Sequence, residues 1–248
     1  MNNSTLRTVD VLELLTQGPM TATQISRELG IPKTSAFDIL SALCSRQFAQ
    51  CDEHKQYSLG LSVYRIGMAY IGKTDLYSAG HARLIQLCRR LRQTVYLAVE
   101  DQGCVVYIDK AEQESPIRFT RRPGDRNELY RTGLGKSIMA ARPALVETLS
   151  FPLPRVTSTT VCTRAELMEE LEITRQRGYA LDLGEDNHLL RCIAVPIRDR
   201  EGMAIGALSC SMLASEFEIT DTATIAAELT SAALDISGAL GYTGNTLY

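Results

Sequence analysis

The sequence predicts an α+β chain in two parts: a small N-terminal helix-turn-helix with a strand-turn-strand wing, and a larger C-terminal part built on a central antiparallel sheet flanked by helices. Three observations carry this. Two short helical patterns separated by a tight Gly-containing turn, then a hairpin pattern, fall in order within the first 60 residues. Residues 192–197 (CIAVPI) and 203–213 (MAIGALSCSML) are apolar runs rich in β-formers and small residues, joined by the turn-prone DREG at 199–202. Amphipathic helical patterns flank the remaining strand candidates.

Taken in order, residues 6–15 place Leu6, Val9, Leu12 and Leu15 at helical spacing, with Val11 and Leu14 beside them, and Gly18 and Pro19 stop the pattern. Thr21 or Thr23 caps a second short helix with Ile25 and Leu29 inward and Gly30 just past its end. Pro32 opens a third helix with the apolar stripe Ala36, Ile39, Leu40 and Leu43. Lys33, Thr34, Ser35, Phe37, Asp38 and Ser41 fall away from that stripe, a short polar set suited to a DNA groove. Arg46 beyond the helix and Lys55 in the charged turn 52–55 of the wing complete the expected DNA-facing set. A linker helix follows from 61–71, and the division of the chain is expected at 1–72 and 73–248.

In the second part, 76–92 reads as a helix, and 95–100, 104–111 and 117–121 as strands in one sheet with the 192–213 hairpin. RTGLGKSIMAAR (131–142) begins a helix capped by Thr132, whose first residues Gly133, Leu134 and Gly135 offer free backbone N–H groups for an anion. The phosphate-binding frame GxxxxGK[ST] is absent, since no Gly stands five residues before Gly135. Thr163 caps an amphipathic helix running to Gly178, with Leu167, Leu171 and Ile173 or Thr174 inward; its acidic run 166–172 reads as a solvated face. The last helix, 221–240, carries Ile225, Leu229, Ala232, Ile236 and Leu240 on one stripe and covers a sheet.

Chemistry concentrates in 179–213. On a strand, Ser209 and Ser211 face one side and Cys210 and Met212 the other. Two hydroxyls on an apolar sheet need partners, because each buried unpaired would cost about 1–3 kcal/mol. A polar ligand, solvent or neighbouring backbone would each satisfy them. Asp182 and Cys192 stand close by in sequence.

Composition bounds the rest. With 45% apolar and 22% charged residues the chain reads as ordinary globular protein, and a net charge of −3 argues against a uniformly basic nucleic-acid coat. Residues 1–75 hold seven Lys plus Arg against seven acids, so DNA contact must be local and strengthened by more than one copy. Seven cysteines with no CxxC, and an N-terminus without a signal-peptide core, point to reduced cytosolic thiols. No apolar run approaches the roughly 18 residues of a membrane span, and the three histidines show no zinc spacing with cysteine.

ISRELGIPKTSAFDILSAL (25–43), YSLGLSVYRIG (57–67), TGLGK (132–136), GYALDLGED (178–186), RCIAVPIRDREG (191–202) and ALSCSM (207–212) together resemble the IclR-type bacterial transcription regulators. The resemblance implies a winged DNA-binding domain, a GAF-like sensor domain, and a homodimer or dimer of dimers on a double-stranded operator. It also implies an effector pocket lined by Asp182, Cys192, Ser209 and Ser211, with amides from Gly133 and Leu134 and a wall from Leu129. No cofactor and no metal are expected. Asp38 and Gln47 stand where relatives commonly carry Arg and Gly, and Leu189 where they usually carry Gly. The amides favour a carboxylate, while Asp182 would repel a second one and, with the serines, prefer hydroxyl donors. The expected effector is a small hydroxy- or keto-acid, such as a sugar acid or its breakdown product. Two other readings stay open: an enzyme using Cys192 and His188 as nucleophile and base, and an interaction module that binds no DNA.

Overall fold

The computed structural model describes residues 3–71, 75–113 and 120–248. The chain divides into two compact units, Met1–Thr74 and Asp75–Tyr248.

The first unit begins with α1 (Asn3–Leu14), a one-turn 3₁₀ segment and the short β1 (Met20–Thr21). Next come α2 (Ala22–Glu28), α3 (Lys33–Ser45), β2 (Ala49–Cys51), β3 (Gln56–Leu59) and α4 (Leu61–Ile71). Thr21 caps α2 through a capping box with Gln24, which satisfies two amides that have no helical acceptor. Gly30 sits at φ 61°, and Ser26 Oγ donates to the Ile31 carbonyl at 2.6 Å, which closes the turn into α3. Ala36, Leu40 and Leu43 are buried against Val11, Leu15 and Ile25. α1 is rotated from the expected stripe: Val11 and Leu15 are buried, while Leu6 and Val9 are exposed. A spacing of three residues drifts around a helix with 3.6 residues per turn, and the i, i+4 pair stays on one face.

β2 and β3 pair antiparallel as the wing, and β1 completes a three-stranded sheet in the order β1-β3-β2. Gln47 adopts φ 60°, a backbone conformation that glycine takes most easily. The position of Gln47 is thus one whose geometry favours the glycine that the resemblance implies. Gly60 cannot be enlarged, because a Cβ there would collide with the Gln47 carbonyl.

The second unit contains α5 (Asp75–Leu91), β4 (Thr94–Asp101), β5 (Cys104–Ala111), β6 (Arg126–Glu128), α6 (Gly133–Ala141), α7 (Arg164–Arg177), β7 (Ala180–Asp182), β8 (Leu190–Arg198), β9 (Ala204–Leu213), α8 (Ala214–Phe217) and α9 (Thr222–Ala239). The strands form one antiparallel sheet in the order β6-β5-β4-β9-β8-β7, with the β8-β9 hairpin next to β4 at its centre. Of the strand expected at 117–121, residues 117–119 lie outside the described residues, and Thr120 and Arg121 are not in a strand. β6, which lacks an apolar alternation, takes the sheet edge beside β5.

Strand alternation sorts the two faces. Val95, Leu97, Ile193, Val195, Leu208, Cys210 and Met212 pack against α5 and α9. Tyr96, Ala98 and Ala207 turn to the opposite face, where they pack with Leu134, Ile138 and Met139 of α6 and Leu167 and Leu171 of α7. On α7 the inward residue is Thr174, and Ile173 is exposed. Among the described residues, no helix is long and apolar enough to cross a membrane.

Candidate effector site and the exposed face of α3

The antiparallel register lays two rows of side chains across the α6 face of the sheet. One row runs Asp182, Cys192, Ser211, Thr94, and the other Ala194, Ser209, Tyr96. Thr132 caps α6, its hydroxyl accepting from Gly135 N at 2.9 Å. The first turn of the helix lands on these rows, with Gly133 closest to Ala194 and Cys192. Gly135 lets it settle there, since a Cβ would strike the Leu129 backbone. The helix start and the rows enclose a cavity of about 190 Å³.

Gly133, Leu134, Asp182, Cys192, Ser209 and Ser211 all line this cavity. The amides of Gly133 and Leu134 belong to the first turn, where a helix supplies no internal acceptor and its dipole favours negative charge. Leu129 is a correction: it is fully buried among Tyr130, Leu134 and Ile138 in the core and does not line the cavity. Its segment forms a 3₁₀ turn against α6, which draws the side chain inward.

Tyr96, Tyr107, Thr120, Arg121, Asp186 and Asn187 also line the cavity and were not anticipated. Asp186 takes Arg121 Nη2 at 3.0 Å and Arg131 Nε at 3.1 Å, so two guanidiniums share one carboxylate. Burial pushes both tyrosine phenols upward, so they stay neutral hydrogen-bonding groups. Tyrosines at 96 and 107 stand on strands whose alternation already turns them to this face, so that signal was readable; the Arg121–Asp186 pairing is not a local pattern.

Beside the cavity lies a buried charge cluster. Lys136, 1% exposed, pairs with Glu185 and has Glu170 Oε1 at 3.8 Å. Asp182 Oδ1 accepts from the Gly184 and Glu185 amides at 2.9 Å each. Thr157 and Thr160 hold the same loop by donating to the Gly184 and Glu185 carbonyls. Burial, reinforced by Glu185, pushes the Asp182 carboxyl well above its ordinary range. Burial works the same way on Glu185, but the Asp182 hydrogen bond and the Lys136 ammonium outweigh it and hold Glu185 low. Of the two, Asp182 is the one pushed toward its protonated form, which weakens the expected repulsion of a second carboxylate. A lysine inside the largely apolar, buried GLGKSIMAA was the available hint of this cluster.

This arrangement makes a pH prediction. A carboxyl whose folded pKa is raised contributes stability that is present below the usual value of about 3.9 and lost as pH rises through the folded pKa. Asp182→Asn keeps the Oδ1 acceptor and supplies an N–H for Glu185, so it should remove that alkaline-side loss. Urea midpoints across a pH series should show the Asn variant gaining on the parent as pH rises; parallel curves would place Asp182 in its charged form.

Cys192 Sγ lies 3.0 Å from Ser211 Oγ, and burial followed by the nearby Asp182 pushes the thiol well up, the reverse of an activated nucleophile. His188 is exposed on the loop before β8. Leu189, also exposed, is not among the described residues with positive φ, so no glycine conformation is demanded there.

In the first unit, Lys33, Thr34, Phe37, Asp38 and Ser41 of α3 are exposed and Ser35 is half-buried. Arg46 beyond α3 and Lys55 in the wing turn are exposed as well.

Comparison with known proteins agrees with this architecture. Residues 68–238 match the family model described as bacterial transcriptional regulator IclR C-terminal, and residues 4–53 the IclR helix-turn-helix domain. The chain is 31% identical over 245 residues to the HTH-type transcriptional regulator KdgR of Dickeya chrysanthemi, covering 97% of this chain and 80% of that protein. It is 32% identical over 244 residues to the HTH-type transcriptional regulator XynR of Escherichia coli, covering 95% and 96%. The crystal structure of the Thermotoga maritima IclR superposes with a TM-score of 0.82 at 28% identity, covering 98% of this chain and all of that one. These relatives are transcriptional regulators and not enzymes, so the readings as a Cys192/His188 enzyme and as a module without DNA binding both fall away. The chain belongs to the IclR family, as a helix-turn-helix DNA-binding transcription regulator with a ligand-binding C-terminal domain.

Proposed function

We propose that this regulator senses a small hydroxy- or keto-carboxylate, such as a sugar acid or its breakdown product, in the cavity under α6. The observation that carries the reading is the start of α6, whose first amides open onto a sheet floor bearing Ser209 and Ser211. The amides, the helix dipole and the two arginines around Asp186 favour one negative charge. The serine hydroxyls offer donors and acceptors to ligand oxygens. A volume of about 190 Å³ suits a metabolite below the usual 300–1,000 Å³ of drug-sized pockets. On the DNA side, α3 enters the major groove with Lys33, Thr34, Ser35, Phe37, Asp38 and Ser41, while Arg46 and Lys55 flank it. Formal neutrality of residues 1–75 makes one copy a weak binder, which favours a homodimer or dimer of dimers. The exposed Leu61, Tyr64, Ile66 and Met68 of α4 suit such a contact.

Calorimetry on the full chain with small hydroxy-acids, keto-acids and the matching unsubstituted carboxylates tests the effector. Ser209→Ala with Ser211→Ala should weaken the tightest hydroxy- or keto-acid by about 1–3 kcal/mol. Equal binding by the double variant, or a preference for uncharged or cationic probes, would refute this pocket assignment.

A further inference from the structure

Tyr96, which lines the cavity, carries a buried polar atom with no partner. The residue is 3% exposed, lines the cavity, and its phenolic oxygen makes no hydrogen bond. An unpaired buried hydroxyl is costly, and native structures rarely keep one without a use. The ring itself is well held. Tyr107 packs edge-on with centroids 5.2 Å apart, and Lys110 Nζ lies 5.8 Å from the ring centre. Its hydroxyl direction is therefore set by packing, as recognition requires.

Position defines what this hydroxyl meets. Gly133 at the start of α6 touches Ala194 on β8, whereas Tyr96 stands on β4, two strands away in the same row as Ala194 and Ser209. Two strand spacings of about 4.8 Å separate the backbone of β4 from that of β8, so a ligand seated on the Gly133 amide above β8 meets Tyr96 with a part remote from that end. Tyr107, Arg121 and Cys192 line the same cavity, so the Tyr96 ring stands among its walls. A neutral phenol is suited to donate to an oxygen acceptor.

We propose that Tyr96 is the specificity-determining residue of the effector site, its O–H donating to a carbonyl or hydroxyl oxygen at the end of the effector remote from the carboxylate. The inference rests on the carboxylate reading above and adds a second recognised group at a defined distance. It selects for acids with an oxygen several carbons from the carboxylate over plain alkanoates of equal length.

The test uses the full chain, its Tyr96→Phe variant, and three probes: 4-oxopentanoate, pentanoate and 2-pentanone. Phe keeps the ring and its packing, so the variant's thermal unfolding should match the parent's and any difference reads the hydroxyl alone. The parent should bind 4-oxopentanoate about three- to tenfold more tightly than pentanoate, and the variant should bind the two alike with pentanoate unchanged. A variant that keeps the preference, or a parent that never shows it, overturns the role of Tyr96. If 2-pentanone binds the parent as well as 4-oxopentanoate and still loses affinity in the variant, the carboxylate reading fails and the Tyr96 contact stands. Absence of binding by any probe to the parent at millimolar concentration overturns both.

Discussion

Lys136→Met should destabilise the C-terminal unit by about 3–5 kcal/mol, because it leaves Glu185 charged and buried without its cation. Lys136 is 1% exposed and Glu185 5%, so water cannot replace the lost partner. Chemical denaturation of the full chain, followed through the unfolding of this unit, measures the change. Two further results are expected. Removing both partners, as Lys136→Met with Glu185→Leu, should recover much of the loss, since an apolar pair of similar volume avoids the desolvation penalty. The single variant's deficit should also shrink as pH falls. In the parent, the low Glu185 pKa contributes stability above the usual carboxylate value of about 4.3 and loses it as pH drops through the folded pKa. Without Lys136 that contribution is gone, and acid then relieves the stranded carboxylate. A Lys136→Met variant within about 0.5 kcal/mol of the parent, an ordinary surface effect, would show the pair to be solvated.

Lys33→Ala combined with Thr34→Ala should reduce operator affinity by at least about thirtyfold while leaving effector binding unchanged. Each base or phosphate contact of this kind contributes on the order of 1–3 kcal/mol, and both side chains are exposed in the first turn of α3. Neither belongs to the core formed by Ala36, Leu40 and Leu43, so the fold should be preserved. Fluorescence anisotropy with an operator duplex, at fixed salt, reads the loss, and calorimetry with the effector provides the control. Retained operator affinity would remove α3 from the groove.

Much of this was legible along the chain because it depends on local periodicity and local chemistry. Alternation on β9 put Ser209 and Ser211 on one face and Cys210 and Met212 on the other, and that is how the strand is packed. Thr132 and Thr163 cap the helices they precede, since a side-chain oxygen one residue ahead of a helix accepts from its free amides. The turn at 199–202 and the Gly30 turn likewise follow from the few residues that make them.

What sequence could not decide were encounters between distant residues and the electrostatics those encounters create. Lys136 and Glu185 meet across 49 positions, and Arg121 and Asp186 across 65. Leu129 could be named as a wall, but only the docking of its turn against α6 sent it into the core. Asp182 read as a charged group that would repel a second carboxylate. The upward push on its carboxyl comes instead from desolvation and from Glu185, itself held low by Asp182 and Lys136, which exist only once α6, the 183–186 loop and the sheet are packed together. Short-range pattern determined which residues share a face; burial and long-range pairing decided what charge they carry there.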